Sequence, residues 1–228
     1  MKPSELIGLA STHLMKCQIG QKTFSLHPMV KRDLLRLKHA ADNAGFNFCI
    51  ASGFRDFTRQ QLIWDGKMKG SREVLSFDGQ LINIDALSEK EQVDAVLIWS
   101  ALPGTSRHHW GSDFDVYNAL ATSKSQPLQL SQEEYLTGPQ TEFFLWLKRH
   151  AETFGFFFPY DGVHSGYQFE PWHISHRATW QNIKTQLAKE PLLTAIVNHN
   201  IVGVSTIVQQ FDHIYTHYVL SVNEGKLS

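Results

Sequence analysis

Apolar positions recur at two different periods along the chain, and the changes from one period to the other mark its elements. Leu34, Leu37, Ala41 and Ala44 fall at helical spacing, and Gly45 is a natural stop for that helix. Phe46, Phe48 and Ile50 then alternate as a strand does, and the strand runs out at Ser52-Gly53-Phe54-Arg55. A second helix is predicted from about Asp56, carrying Gln61, Leu62 and Trp64. Ser88 and Glu91 form a capping box ahead of Val93, Val96 and Leu97, so a helix should run to about Ala101, before Pro103-Gly104 breaks it. Trp110, Ser112, Phe114 and Val116 alternate again and predict a strand. Phe144, Leu147, Ala151 and Phe154 make one face of a further helix that stops at Gly155. Phe156-Phe157-Phe158 and Tyr167-Gln168-Phe169 flank the turn-forming Pro159-Tyr160-Asp161-Gly162, which predicts a hairpin with Glu170 and His173 on or just after its second strand. From about Arg177 to Tyr218 the pattern is mostly helical, followed by a short strand at Val219-Leu220-Ser221-Val222.

The pattern is that of an α+β protein without internal repeats or low-complexity linkers. A chain of 228 residues can bury one substantial core. Residues 1–176 are expected to form one unit, with 177–228 a mostly helical extension packed on it. The formal net charge of -1 and the lack of a Lys/Arg cluster argue against a nucleic-acid partner. No apolar run is long enough to span a bilayer, so no membrane partner is expected. The first ten residues hold too short an apolar stretch, with Glu5 beside it, for a secretory signal, and the expected location is the cytoplasm. Cys17 and Cys49 fit no metal-type spacing and are expected to be reduced thiols.

Two segments carry the chemistry. Ser106-Arg107-His108-His109-Trp110-Gly111-Ser112-Asp113-Phe114-Asp115 and, further on, Glu170-Pro171-Trp172-His173 together supply two imidazoles and a carboxylate, a set suited to zinc with one coordination position left for water. His108, Asp115 and His173 are the expected ligands. Gly111, lacking a Cβ, lets the backbone bend so that the first two converge. Glu170 is placed to act as general base. Pro171 holds Glu170 extended, and a strict strand would set Glu170 and His173 on opposite faces, so a local turn or bulge must bring them together. Asp113 shares a strand face with Asp115 and is either an alternative ligand or a partner that fixes an imidazole tautomer. His109, His164 and His176 lie near the motifs without fitting them.

The order Ser-x-His-x-x-Gly-x-x-x-Asp followed by Glu-x-x-His resembles the zinc D,D-carboxypeptidases and dipeptidases of the VanY and VanX type, peptidase family M15. Ser52-Gly53-Phe54-Arg55 followed by Gln61 resembles the Ser-Gly-Tyr-Arg segment of VanY-like enzymes. The resemblance covers roughly Phe46 to His176 in three motifs, and departs from the family at Asp113, where a small apolar residue is usual. It implies a central, mostly antiparallel sheet with flanking helices, the fold shared with hedgehog-type domains, with residues 1–176 as the catalytic part. It implies zinc as cofactor and a peptidoglycan-derived peptide as substrate, cleaved at its terminal D-alanine. Arg55 would reach the active site, either clamping the peptide's terminal carboxylate or stabilising the tetrahedral oxyanion. Ser106 and Gln61 are further candidates for binding substrate, and Trp110 and Trp172 for walling the site. A D-Ala-D-Ala dipeptidase, a peptidoglycan endopeptidase and a non-catalytic zinc-stabilised binding module are the alternatives.

Overall fold

A computed structural model describes residues 1–225. In chain order the elements are α1 (Pro3–Leu6), the strands β1 (Met15–Ile19) and β2 (Lys22–Leu26), α2 (Lys31–Asn43), β3 (Phe48–Ser52), α3 (Phe57–Met68), α4 (Glu89–Leu97), β4 (Asp113–Asn118), α5 (Gln132–Leu136), α6 (Thr141–His150), β5 (Phe156–Phe157), β6 (His173–His176) and the C-terminal helices α7 (Arg177–Lys184), α8 (Lys189–Asn198), α9 (Val204–Gln209) and α10 (Phe211–Ile214). β1 and β2 make a separate antiparallel hairpin, whereas β3, β4, β6 and β5 form, in that order, an antiparallel sheet.

Most local signals act where the periodicity places them. Gly45 follows α2 with φ +92°, a conformation that leaves an L side chain strained. Asp56 caps α3 by accepting a hydrogen bond from the Arg59 amide at 2.7 Å. Ser88 and Glu91 close the capping box of α4, which ends at Leu97 rather than near Ala101.

Two expectations are corrected. β5 pairs with β6, through Phe156 opposite His176 and Phe157 opposite Ser175, and not with 167–169. Pro159 has no N–H to extend a local ladder, while pairing with β6 adds β5 to a sheet already buried on one face. Residues 158–172 therefore run as a long connection between β5 and β6, with Phe158 and Trp172 packed into the core. Val219 to Val222 is not a strand either: Tyr215–Leu220 forms a single wide helical turn that sends Val219 into the core.

The four-stranded sheet alternates cleanly. Phe114 and Val116 of β4, Ile174 of β6 and Phe48 and Ile50 of β3 point into one core with Leu34 and Leu37 of α2 and Phe143 and Leu147 of α6. Asp113, Asp115, His173 and Ser175 therefore share the opposite face. A second core joins Trp64 of α3 and Val93 and Val96 of α4 to Leu192, Ile196, Ile207 and Phe211 of the C-terminal helices. The site lies where these two bodies meet.

Gly111 connects the short 3₁₀ turn Arg107–Trp110 to β4 with φ +66°, and a Cβ there would stand 2.5 Å from Leu14 Cδ2 and 3.0 Å from the His27 amide nitrogen. Gly111→Ala is expected to destabilise the protein by about 1–3 kcal/mol, read as a lower urea midpoint. An unchanged midpoint would contradict the packing assigned to this bend.

Candidate active site

Antiparallel register sets Asp115 directly opposite His173, and Ser52 of β3 beside Asp115 across a bulge. His108 reaches the same point from the 3₁₀ turn that precedes β4. One donor atom from each of His108, Asp115 and His173 lies within 4.8 Å of the others, and all three residues are buried. His108 Nδ1–H donates to the Gly53 carbonyl at 2.9 Å, which leaves Nε2 facing Asp115 Oδ2 at 3.5 Å. His173 Nε2–H donates to Asp113 Oδ1 at 3.2 Å, which leaves Nδ1 at 3.2 Å from Asp115 Oδ1. Each imidazole thus has its outer nitrogen held and its inner nitrogen directed at one point, the arrangement by which metal-binding histidines are oriented.

Asp113 is the partner of an imidazole and not a converging ligand. Besides His173, it accepts from Arg107 Nε at 2.7 Å and from Ser112 Oγ at 2.8 Å. Arg107, itself buried, also donates to Ser175 Oγ at 2.6 Å and lies over the rings of Trp110 and Trp180, 4.9 and 4.3 Å from their centroids. Burial alone would raise the Asp113 carboxyl, but Arg107 and His173 hold it well below the usual range. Burial likewise opposes the charge on Asp115, and the two histidines again prevail. His108 is pushed down by burial and by Arg55, against the pull of Asp115, and is neutral near pH 7. Burial opposes the imidazolium of His173, yet the carboxylates of Asp113, Asp115 and Glu170 close to its ring raise it well above its ordinary value.

The turn demanded by the odd Glu170–His173 spacing is present: the His173 amide donates to the Glu170 carbonyl at 3.1 Å. It brings Glu170 Oε2 to 3.4 Å from His173 Nδ1. The Glu170 amide is anchored on the Tyr160 carbonyl at 3.2 Å. Arg55 stands on the other side, with Nη2 at 3.7 Å from Asp115 Oδ2, Nη2 donating to Ser52 Oγ at 3.0 Å and Nη1 donating to Gln60 Oε1 at 2.8 Å. Arg55, His108, Asp115, Glu170 and His173, with Ser106, Tyr160 and Trp172, line a cavity of about 640 Å³.

Gln61 does not join them. Its amide donates to the His199 carbonyl at 3.1 Å, because one step along a helix turns the side chain roughly 100° away. Gln60 takes the place beside Arg55, its own amide donating to the Ala101 carbonyl at 2.7 Å. Its spacing of four from buried Trp64 was the available signal. Of the two tryptophans, Trp172 walls the cavity while Trp110 stacks on Trp180 at 5.6 Å behind it. His109 is held away from the cluster as a neutral linker. Burial lowers it to about 3, its Nδ1–H donates to the Arg55 carbonyl at 2.6 Å, and its Nε2 accepts from the Gly104 amide at 3.0 Å. His176 faces α2 through Asp33, at 3.3 Å, and His164 pairs with Asp161 at the surface. Arg107 had no signal beyond its place inside the first motif, and Tyr160 none beyond its place in a turn-forming segment. The ring of Tyr160 lies 4.9 Å from that of His173.

Residues 23–179, well over half of the chain, match the family model for VanY, D-alanyl-D-alanine carboxypeptidase. The chain belongs to this family, a group of carboxypeptidases. Two uncharacterised Haemophilus influenzae proteins are similar: one is 35% identical over 103 residues, 45% of this chain and 70% of the relative, and the other 29% identical over 122 residues, 52% and 93%. Among solved structures, VanYB in complex with D-alanine-D-alanine superposes with a TM-score of 0.54 at 22% identity, covering 79% of this chain and 88% of that one. A vancomycin-resistance D,D-pentapeptidase VanY variant in complex with Zn(II) gives 0.54 at 21% identity, covering 80% and 92%. These likenesses establish the fold: mixed helix and sheet, with the antiparallel sheet at its centre.

The charge pattern sets a pH dependence for chelator-treated protein. His173 has a folded pKa above its unfolded value of about 6.5, so its contribution is complete below that pH and is lost as pH rises through the folded value. Asp113 and Asp115 have depressed values, so theirs is complete above an unfolded value of about 3.9 and is lost on acidification. The depressed imidazoles of His108 and His109 act in the opposite sense, so the contribution of His173 is read as a difference: between pH 6 and pH 9 the urea midpoint of the metal-free wild type is expected to fall relative to that of a metal-free His173→Gln variant. A gap between the two proteins that does not change with pH would contradict the assignment of an imidazolium among these carboxylates.

Proposed function

We propose that the protein is a zinc-dependent carboxypeptidase that releases the terminal D-alanine of peptidoglycan-derived peptides, using Glu170 as general base. The observation that carries the reading is the convergence of His108 Nε2, His173 Nδ1 and Asp115, in which the buried Asp115 Oδ1 lies 3.2 Å from His173 Nδ1 by charge proximity but makes no hydrogen bond. Such an atom is costly unless something occupies the space in front of it. A divalent cation held by His108 Nε2, His173 Nδ1 and Asp115 satisfies it, and a set of two imidazoles and a carboxylate with a further position open suits catalytic zinc. Zinc held by these residues would supply Lewis acidity toward the scissile carbonyl and lower the pKa of water.

The chain's own groups account for the remaining steps. Glu170 stands close enough to the inner nitrogen of His173 to take a proton from the attacking water and return it to the leaving amine. Arg55, fixed by Ser52 and Gln60 next to Asp115, offers its remaining N–H groups to the oxygen of the tetrahedral adduct. Ser106 lines the same cavity and can hold the peptide backbone, while Trp172 limits access of bulk water. A binding module without turnover would have no use for a carboxylate poised at this spot. The family, and a fold shared with a protein solved with D-alanine-D-alanine, support the choice of substrate.

Purified protein is expected to hold one zinc per chain and to release D-alanine from free-acid muropeptides. Glu170→Gln is expected to keep the zinc and lose at least about a hundredfold in kcat. A Glu170→Gln variant as active as wild type would refute proton transfer by this residue. Because a proton and the metal compete for His173 Nδ1, zinc affinity measured by chelator competition is expected to weaken with falling pH, by up to about tenfold per unit. Affinity independent of pH between 6 and 8 would rule out that nitrogen as a ligand.

A further inference from the structure

Among the described residues, the cavity wall carries two long-chain cations, Arg55 and Lys67, against the carboxylates of Glu73, Asp78, Asp115, Glu133 and Glu170. The two cations differ in their commitments. Arg55 is bonded to Ser52 and Gln60, borders Asp115, and is held at its backbone as well, its amide donating to the His108 carbonyl at 3.2 Å and its carbonyl accepting from His109. Its guanidinium is therefore fixed at the end of the cavity where His108, Asp115 and His173 converge. The Lys67 ammonium makes no hydrogen bond or ion pair within the described residues, although the residue is half-buried.

Helix geometry puts Lys67 on the cavity-facing side of α3. It follows Gln60 by seven residues on α3, hence about two turns further along the same face. Long helical side chains lean toward the helix N-terminus, which here is the end that carries Arg55. Burial pulls the ammonium below the ordinary lysine range and the negative field of Glu170 opposes that pull, so the two groups sense one another across the cavity. An unpaired cation on a largely enclosed wall forgoes much of its hydration and stands ready for an anion. In a carboxypeptidase substrate the terminal carboxylate lies a single residue, about 3.8 Å of chain, beyond the bond that breaks.

We infer that Lys67 binds the free C-terminal carboxylate of the peptide, so that Arg55 is left to the oxygen of the tetrahedral adduct. This rests on the carboxypeptidase reading given above, and it divides between two residues the tasks that the sequence motif left to Arg55 alone. Lys67 is then the specificity residue that makes the enzyme act at chain ends.

The test compares two peptides, one ending in a free D-alanine carboxylate and the other in D-alaninamide, with wild type, Lys67→Met and Lys67→Arg, zinc content being measured in each. Wild type is expected to prefer the free acid. Lys67→Met is expected to lose about tenfold or more of kcat/KM on the free acid, chiefly through KM, as removal of a charge-assisted hydrogen bond does, and to leave the amide rate where it was. Lys67→Arg should recover part of the preference. An acid-to-amide ratio unaltered in Lys67→Met overturns the assignment, and so does an equal loss on both peptides, the signature of a lysine that acts only through the field on Glu170. If wild type releases neither D-alanine from the free acid nor D-alaninamide from the amide, the carboxypeptidase reading fails and takes this inference with it.

Discussion

The antiparallel pairing that sets Asp115 opposite His173 is the constraint on which the site depends. Side chains alternate along β4 and β6, so the register that buries Phe114, Val116 and Ile174 against α2 and α6 also turns Asp113, Asp115, His173 and Ser175 to the other face. A slip of one residue would drive two carboxylates into an apolar core and expose the core's own side chains, and it is excluded on that ground. Core and site therefore specify each other. Neither His108 nor Glu170 lies within the sheet, and each is delivered by a bend at the end of a strand, through Gly111 in one case and a turn containing Pro171 in the other.

Charge is arranged with the same economy. Arg107, Asp113, His173, Asp115 and Arg55 form a row in which positive and negative groups alternate, each touching its neighbours through a bond or ion pair of 2.7 to 3.7 Å. Taking such groups out of water is expensive, and pairing along the row offsets much of that cost while fixing geometry. Trp110, Trp180 and Phe157 surround Arg107 at its outer end. Trp180 belongs to α7, so a helix beyond the last motif helps to hold the guanidinium that holds Asp113, which in turn orients His173. The cluster is thus buttressed from residues outside the motifs.

Much of this was legible in the residues alone, for identifiable reasons. Alternation through Phe114 and Val116 predicted β4, helical spacing with Gly45 and Asp56 gave the ends of α2 and the start of α3, and the His108, Asp115 and His173 triad converges where its spacing suggested. What was not legible depended on contacts between distant segments. β5 chose β6 over the nearby 167–169, a decision made by long-range burial rather than by turn chemistry. Gln61 was named where Gln60 points inward, an error of one position that a helix converts into a change of face. Asp113 was ambiguous because strand periodicity says which face a side chain shares but not which imidazole nitrogen it meets. Lys67 carries no motif, and only the packing of α3 with α4 and the C-terminal helices brings it to the cavity wall.

The central claim is that His108, Asp115 and His173 gather around one divalent cation, and anomalous scattering at the zinc edge from crystals grown with zinc tests it most directly. The expected result is a single strong peak about 2.0–2.2 Å from His108 Nε2, His173 Nδ1 and a carboxylate oxygen of Asp115, with Asp113 outside coordination distance. A peak bound by Asp113 in place of Asp115, or no peak at this cluster while zinc is retained elsewhere, would contradict it.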